Sequence, residues 1–134
     1  MYYEKLALEV GATVAGFEVM NPPTMEGASG VQHRFSFAAA EGETVYGFDI
    51  YNDVGEIEII KSYIKKMDTG ARVFVVCLSG RPGPQASELA HIYDLEVLGP
   101  KEVGDFFEER IVKQIQGPAK RRTAAQGSPS EILG

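Results

Sequence analysis

Residues 31–51 read VQHRFSFAAAEGETVYGFDIY, and this stretch decides the fold class. Apolar and polar residues alternate on both sides of its centre, a pattern typical of half-buried strands. The triplet Glu41-Gly42-Glu43 interrupts the alternation, and a glycine between two such runs indicates a hairpin turn. The sequence therefore predicts two antiparallel strands, Val31–Ala40 and Thr44–Tyr51.

Alternation along a strand also assigns each side chain to one face of the sheet. In the first strand, one face is predicted to carry Val31, His33, Phe35 and Phe37, and the other Gln32, Arg34, Ser36 and Ala38. In the second strand, one face carries Tyr46, Phe48 and Ile50, and the other Val45, Gly47, Asp49 and Tyr51.

Before the hairpin, the chain predicts one helix and one strand. Tyr2–Val10 has apolar residues four apart and is followed by Gly11, a plausible C-cap. Thr13–Met20 is rich enough in β-branched and aromatic residues for a strand, which the following prolines end. Thr24–Gly30 is polar and glycine-bearing, and is predicted to be a loop.

After the hairpin, helices and strands alternate. Glu56–Met67 is predicted to be a helix, in which Ile57, Ile60, Ile64 and Met67 form a stripe at 3,4,3 spacing typical of an amphipathic helix. Arg72–Leu78 is a continuous apolar run that suits a central strand covered on both faces. The remaining predicted elements are a helix at Gln85–Tyr93, a strand at Leu95–Leu98 and a helix at Lys101–Ile115.

This order predicts an α/β fold, with a mixed sheet and helices on both faces. The 134 residues are 44% hydrophobic, enough for one domain with a real core. We expect that domain to span residues 1–116 and to be followed by a flexible basic tail, residues 117–134.

The lone Cys77 lies in the apolar run and is predicted to be core. Because a lone cysteine cannot form an intrachain disulfide, we expect a reducing, cytoplasmic compartment. With no signal peptide and no run of roughly 18 apolar residues, we expect no membrane partner.

Charge is distributed unevenly along the chain. The net charge is −6, although the tail carries three basic residues against one acid. The domain is therefore more acidic than the chain as a whole, and an acidic surface repels phosphate backbones unless basic groups cluster locally. This counts against strong binding of nucleic acid by the domain alone.

Several strings resemble the PD-(D/E)xK fold of restriction endonucleases and Mrr-type enzymes, in its archaeal form. SGVQHRFSFAA followed by VYGFDIY looks like the second and third core strands, and EIEIIKSYIKKMDTGARVFVVCLSG resembles the crossover helix and fourth strand. PQASELAHIYDLEVLGPKEV resembles the segment that follows. The resemblance covers about residues 2–112 and implies an α-β-β-β-α-β core with an added helix-strand-helix. Domains of this kind include both nucleases and parts of transcription regulators.

In active members of that family, two acids on adjacent strands bind a divalent cation, usually Mg²⁺, and a lysine two residues after the second acid positions the attacking water. Carried over to this chain, the second acid is Asp49, the one candidate metal ligand. The lysine position is Tyr51, which cannot act as an ammonium, and the first acid falls near Ser36, a poor Mg²⁺ ligand. The resemblance thus implies a degenerate site.

A rearranged site is the alternative, since some relatives supply the lysine from the crossover helix. Lys61 and Lys65 are one turn apart on that helix, and either could reach Asp49. Glu9 or Glu4 of the first helix could add a carboxylate. His33 is a candidate ligand, base or DNA contact, although a partly buried, hydrogen-bonded histidine is the simpler interpretation.

Three functions follow as hypotheses. The first is a catalytically degenerate domain that acts in nucleic-acid-associated binding or regulation, for which Arg34, His33, Ser36 and Tyr51 are the candidate binding residues. The second is an active Mg²⁺-dependent DNA endonuclease with the rearranged site. The third is a structural or oligomerisation module. Because homodimers are common in this fold, we expect a homodimer.

Overall fold

The predicted hairpin forms the centre of the protein in a computed structural model, which describes the backbone of residues 2–126 and the side chains of residues 5–115. Strands β4 (Phe37–Glu41) and β5 (Thr44–Tyr51) pair antiparallel, with Phe37 opposite Phe48. Gly42 begins the two-residue turn with a φ of 61°. A positive φ at that position is characteristic of hairpin turns and favours glycine.

The sheet has five strands in the order β1-β4-β5-β6-β7. Strand β1 (Glu18–Val19) pairs antiparallel with β4. Strands β6 (Arg72–Cys77) and β7 (Glu96–Leu98) are parallel to β5. Strand β6, which lies between β5 and β7, is apolar and has helices over both of its faces, as its sequence predicted. The predicted mixed α/β architecture is therefore confirmed.

Helices cover both faces of the sheet. Helices α1 (Tyr2–Val14) and α4 (Pro100–Gln126) pack on the face that carries Phe48, and helices α2 (Glu56–Thr69) and α3 (Pro84–Ile92) pack on the other. The first core consists of Leu8, Ala12, Ala15, Phe17, Phe37, Ala39, Tyr46, Phe48, Ile50, Phe74, Val76 and Phe107. The second consists of Phe35, Val54, Ile59, Ala71, Val73, Val75, Cys77, Ala86, Ala90 and Leu95.

The predicted strand Val31–Ala40 is wrong as a single element. Its first part is strand β3 (Gln32–Arg34), which pairs with β2 (Thr24–Glu26) in a separate two-stranded ribbon. Residues of β2 had been predicted to lie in a loop. The backbone breaks between β3 and β4, so Phe35 packs in the second core and Phe37 in the first. A break in the pleat reverses the faces that strict alternation would assign.

The first helix is longer than predicted and the first sheet strand is shorter. Helix α1 continues through Gly11 to Val14, and the chain turns at Gly16, where φ is 93°. Gly11 lies inside the helix, where the Phe107 ring packs closely over it, and a β-carbon at Gly11 would lie 3.2 Å from that ring. The prediction of Gly11 as the C-cap is therefore wrong, since tertiary packing can outweigh the weak helix propensity of glycine.

The stripe on α2 faces away from the sheet. Ile57, Ile60, Ile64 and Met67 are all exposed, whereas Ile59 and Ser62 are the buried residues of this helix. The helix begins at Glu56 as predicted and ends at Thr69, two residues beyond the predicted end, and Gly70 caps the C-terminus in the left-handed conformation. The more regular apolar row is thus not the one that packs on the sheet.

Helix α4 extends to Gln126, beyond its predicted end at Ile115 and into the segment expected to be a flexible tail. The sequence after Pro118 is rich in alanine, lysine and arginine, which favour helix. Residues 127–134 lie outside the described part of the chain. Among the described helices, none combines the length and apolar composition needed to cross a bilayer.

Candidate functional site

Asp49 is the centre of a polar cluster between strand β5 and helix α2. The strand places this carboxylate on the face covered by α2, where it is only 2% exposed. Its Oδ2 atom accepts a hydrogen bond of 2.7 Å from the Ser62 hydroxyl. Its Oδ1 atom lies 3.0 Å from Nζ of Lys65, forming an ion pair. A buried carboxylate needs such partners to offset lost hydration, so Asp49 joins α2 to the sheet.

Lys65 lies three residues after Ser62, on the same side of the helix. Besides Asp49, its ammonium donates a 2.6 Å hydrogen bond to the backbone carbonyl oxygen of Arg34. It also lies 5.0 Å from the centroid of the Phe35 ring, within cation–π range. One ammonium therefore holds helix α2, strand β5 and the break after β3 together.

The Phe35 ring also explains a glycine in the central hairpin. It lies against Gly47, where a β-carbon would come within 2.5 Å of the ring. No side chain larger than hydrogen fits at residue 47 while Phe35 keeps this position. Gly47 thus makes room for the ring that lies beneath the Lys65 ammonium.

Ser36, which the family resemblance would align with the first acid, bonds to the backbone of strand β5. Its hydroxyl accepts a 3.0 Å hydrogen bond from the backbone amide of Ile50, and its own amide donates to the Phe48 carbonyl oxygen. The side chain replaces a main-chain acceptor where the backbone breaks. This contact gives Ser36 a structural role.

Tyr51, which the family resemblance would align with the lysine, stays protonated at physiological pH. The pKa of its phenol is raised to about 12, mainly by burial and then by the negative charge of Asp49, while a hydrogen bond with the Ser62 hydroxyl opposes the rise. A neutral phenol supplies neither the positive charge nor the proton acceptor of the family's chemistry. Tyr51 is part of the polar cluster around Asp49 as a neutral neighbour.

The residues around Asp49 do not fit a magnesium ion. Mg²⁺ needs near-octahedral oxygen ligands, usually with one or two carboxylates and several waters. Both oxygens of Asp49 already accept contacts from protein donors, one of them cationic. Nowhere in the side chains described here do three or more His, Cys, Asp or Glu residues form a group able to hold a metal.

His33 belongs to a second cluster, which fastens the β2–β3 ribbon to the end of α2. Its Nε2 atom lies 2.7 Å from Oδ2 of Asp68. The same carboxylate accepts hydrogen bonds from the Ser29 hydroxyl, at 2.6 Å, and from the Ser29 amide, at 2.9 Å. Led by the serine hydroxyl, these donors lower the pKa of Asp68 from 3.8 to about 2. This matches the predicted hydrogen-bonded histidine.

The other candidates are not brought to Asp49. Lys61 is exposed on the outer side of α2, so Lys65 is the helix lysine that reaches the carboxylate. Glu9 is on α1, which packs on the opposite face of the sheet. Arg34 contributes its backbone carbonyl oxygen, and its side chain is exposed. The side chain of Glu4 lies outside the described residues.

Sequence reasoning missed Ser62, Ser29 and Asp68. The sequence does hold a signal for Ser62. Ile59, Ser62 and Lys66 are three and four residues apart, so they lie on one side of the helix, different from the side that carries the stripe. The partnership of Ser29 and Asp68 joins residues 39 positions apart and has no local pattern. Gly27 allows this approach, since a β-carbon there would overlap the Asp68 carboxylate.

Comparisons with known proteins extend only to the fold. No protein-family model and no curated protein matches the chain significantly. A solved structure described as a protein of unknown function, AF1548, is similar with a TM-score of 0.52 and 14% sequence identity. The match covers 72% of this chain and 58% of that one. At that identity the likeness shows a shared fold and carries no activity.

Proposed function

We propose that this chain is a restriction-endonuclease-like module that has lost catalysis and acts by binding, in nucleic-acid-associated regulation. The observation that carries the proposal is the engagement of both Asp49 oxygens by Ser62 and Lys65. In an active member, that carboxylate would have to be open to a metal ion. Here its contacts are those of a structural acid, and the flanking positions hold Ser36 and Tyr51.

A cleavage assay tests the loss of catalysis. The full chain is incubated with supercoiled and linear DNA in Mg²⁺ or Mn²⁺, beside Asp49→Asn. We expect no cleavage above the buffer control for either protein. Metal-dependent cleavage by the wild-type chain that Asp49→Asn abolishes would contradict the proposal, and it would establish Asp49 as a catalytic residue.

A binding assay tests direct contact with nucleic acid. Fluorescence anisotropy of labelled single-stranded and duplex DNA is measured at 50 and 200 mM salt. Because the domain is acidic, we expect only weak binding that falls steeply with salt and depends on the basic triplet of the tail. Replacing Lys120, Arg121 and Arg122 with alanine should remove it, and binding unaffected by that change would place the contact on the domain itself.

The rearranged nuclease remains the second candidate, because one observation favours it. Lys65 lies 3.0 Å from Asp49, which meets the requirement that a helix lysine reach the surviving acid. This candidate also requires further carboxylates beside Asp49, and Glu9 lies on the other face of the sheet. The cleavage assay separates the two candidates directly.

A further inference from the structure

We propose that the exposed apolar row of helix α2 is the contact surface for a second copy of this chain. We call the row the α2 stripe: Ile57, Ile60, Ile64 and Met67. This inference goes beyond the function proposed above and does not depend on whether the domain has catalytic activity.

The α2 stripe faces solvent on the side of the helix opposite the sheet. Its four side chains are 60%, 39%, 53% and 64% exposed, whereas Ile59 and Ser62 are fully buried. Together they expose on the order of 400 Å² of apolar surface, a size of patch that commonly marks an interaction site. A helix with one buried face and a second apolar face has room for a partner on the outside.

The spacing of the stripe is that of a two-helix seam. Within this 14-residue helix, the apolar residues of the stripe are three and four apart and match the a and d positions of two consecutive heptads. An isolated helix this short would be marginal in water. Here the contacts of Asp49 with Ser62 and Lys65 already hold the helix on the sheet, so pairing incurs little further ordering cost.

Charges beside the stripe match those of an identical copy. Glu56 precedes the first stripe residue and Lys61 follows the second, which places them at the g and e positions on opposite sides of the seam. In a parallel pair of α2 helices, Glu56 of each copy lies opposite Lys61 of the other. In a dimer with two-fold symmetry this Glu56–Lys61 contact forms twice, because each subunit presents the same patch to the other.

The available area predicts a modest affinity. Stable interfaces bury roughly 800 Å² on each partner, more than the stripe alone supplies. Helix α3 lies alongside, as the rings of Tyr63 and Tyr93 stack with centroids 4.1 Å apart. Its Ile92 is a further exposed apolar side chain. We therefore expect a dimer that dissociates in about the micromolar range.

A second exposed row provides a matched control. Leu6, Val10 and Val14 lie on α1, and Val10 is 56% exposed, close to the 53% of Ile64. This row has uniform four-residue spacing, which does not keep the alternation of a and d positions. It also lies on the opposite side of the sheet, so a substitution there changes exposed apolar area without touching the proposed seam.

Sedimentation velocity over a concentration series of the full chain tests the contact. Wild type and Val10→Glu should shift from monomer to dimer with similar dissociation constants, whereas Ile64→Glu should stay monomeric at the highest concentration. Thermal unfolding of each variant verifies that the fold is kept. A wild type that is monomeric at several hundred micromolar, or an Ile64→Glu variant that still dimerises, would overturn the proposal.

A charge exchange tests whether the partner is an identical, parallel helix. Glu56→Lys and Lys61→Glu should each weaken dimerisation several-fold at low salt, because each places like charges together. The double variant exchanges both signs and should recover the wild-type dissociation constant to within about twofold. A double variant at least as weak as the single variants would overturn the proposed pairing.

Discussion

The ammonium of Lys65 and the carboxylate of Asp49 lie 3.0 Å apart, joining helix α2 to the central strand of the sheet. The Ser62 hydroxyl engages the other carboxylate oxygen. Nucleases of the family that the sequence resembles use an acid on a core strand to bind a metal. In this chain Asp49 fastens helix α2 to strand β5.

Loss of the Lys65 ammonium should destabilise the protein. Lys65→Met removes the cation from a carboxylate that is 2% exposed. Breaking a buried pair in this way costs about 3 kcal/mol. Urea unfolding followed by circular dichroism measures the loss. Lys113→Met, at an exposed position of helix α4, is the control and should change stability by no more than about 0.5 kcal/mol. Equal effects of the two substitutions would contradict the role of Lys65.

Removing the Ser36 hydroxyl should free the backbone amide of Ile50. Ser36→Ala leaves this amide without its 3.0 Å acceptor, at a cost of about 1–2 kcal/mol. Hydrogen exchange measured by NMR should show faster exchange at Ile50 than in wild type, while amides at the hairpin end of β5 keep their protection. An unchanged exchange rate at Ile50 would show that Ser36 does not pair the strands.

A methyl group at residue 47 should clash with Phe35. Gly47→Ala places a β-carbon 2.5 Å from the ring, and overpacking of this kind costs about 1–3 kcal/mol. Gly104→Ala is the matched control, because no atom lies within 4 Å of a β-carbon there and the residue is helical. It should be neutral or slightly stabilising. Phe35→Leu combined with Gly47→Ala should recover part of the loss, and no recovery would mean that Phe35 is not the clashing group.

The Asp68 cluster should contribute to stability in a defined range of pH. The pKa of Asp68 is lowered from 3.8 to about 2 in the folded protein. A depressed carboxyl pKa stabilises the fold above the unfolded value, and that contribution is lost as pH falls through the folded value. Urea midpoints between pH 5 and pH 2 should therefore fall less steeply for Asp68→Asn than for wild type. Parallel curves would contradict the assignment.

The sequence predicted the architecture well because the deciding patterns are local. The turn at Gly42 and the apolar strand around Val75 each follow from a few neighbouring residues. The break after Arg34 was missed, because it depends on Phe35 packing over Gly47, a contact between strands. Alternation could not reveal where the pleat would be interrupted.

The site was predicted in part for a related reason. Asp49 and Lys65 were chosen from the resemblance, and the structure brings them together. Glu9 was misplaced, because its side of the sheet depends on which face α1 covers. The face of α2 was misread, since the regular row of Ile57 and its neighbours resembles a core-facing stripe but is exposed. Helix α2 carries two rows of residues, one buried against the sheet and one exposed and apolar. The exposed row has the more regular apolar spacing, so periodicity pointed to the wrong face.

Manganese titration of the ¹⁵N-labelled chain tests the central claim most directly. Mn²⁺ takes hard oxygen ligands as Mg²⁺ does, and it broadens the NMR signals of nearby amides. If Asp49 is held by Ser62 and Lys65, the amides of Phe48, Asp49 and Ile50 should broaden no more than those of exposed acidic segments, and Asp49→Asn should leave the pattern unchanged. Selective broadening at these three amides that Asp49→Asn removes would contradict the account and establish a metal site.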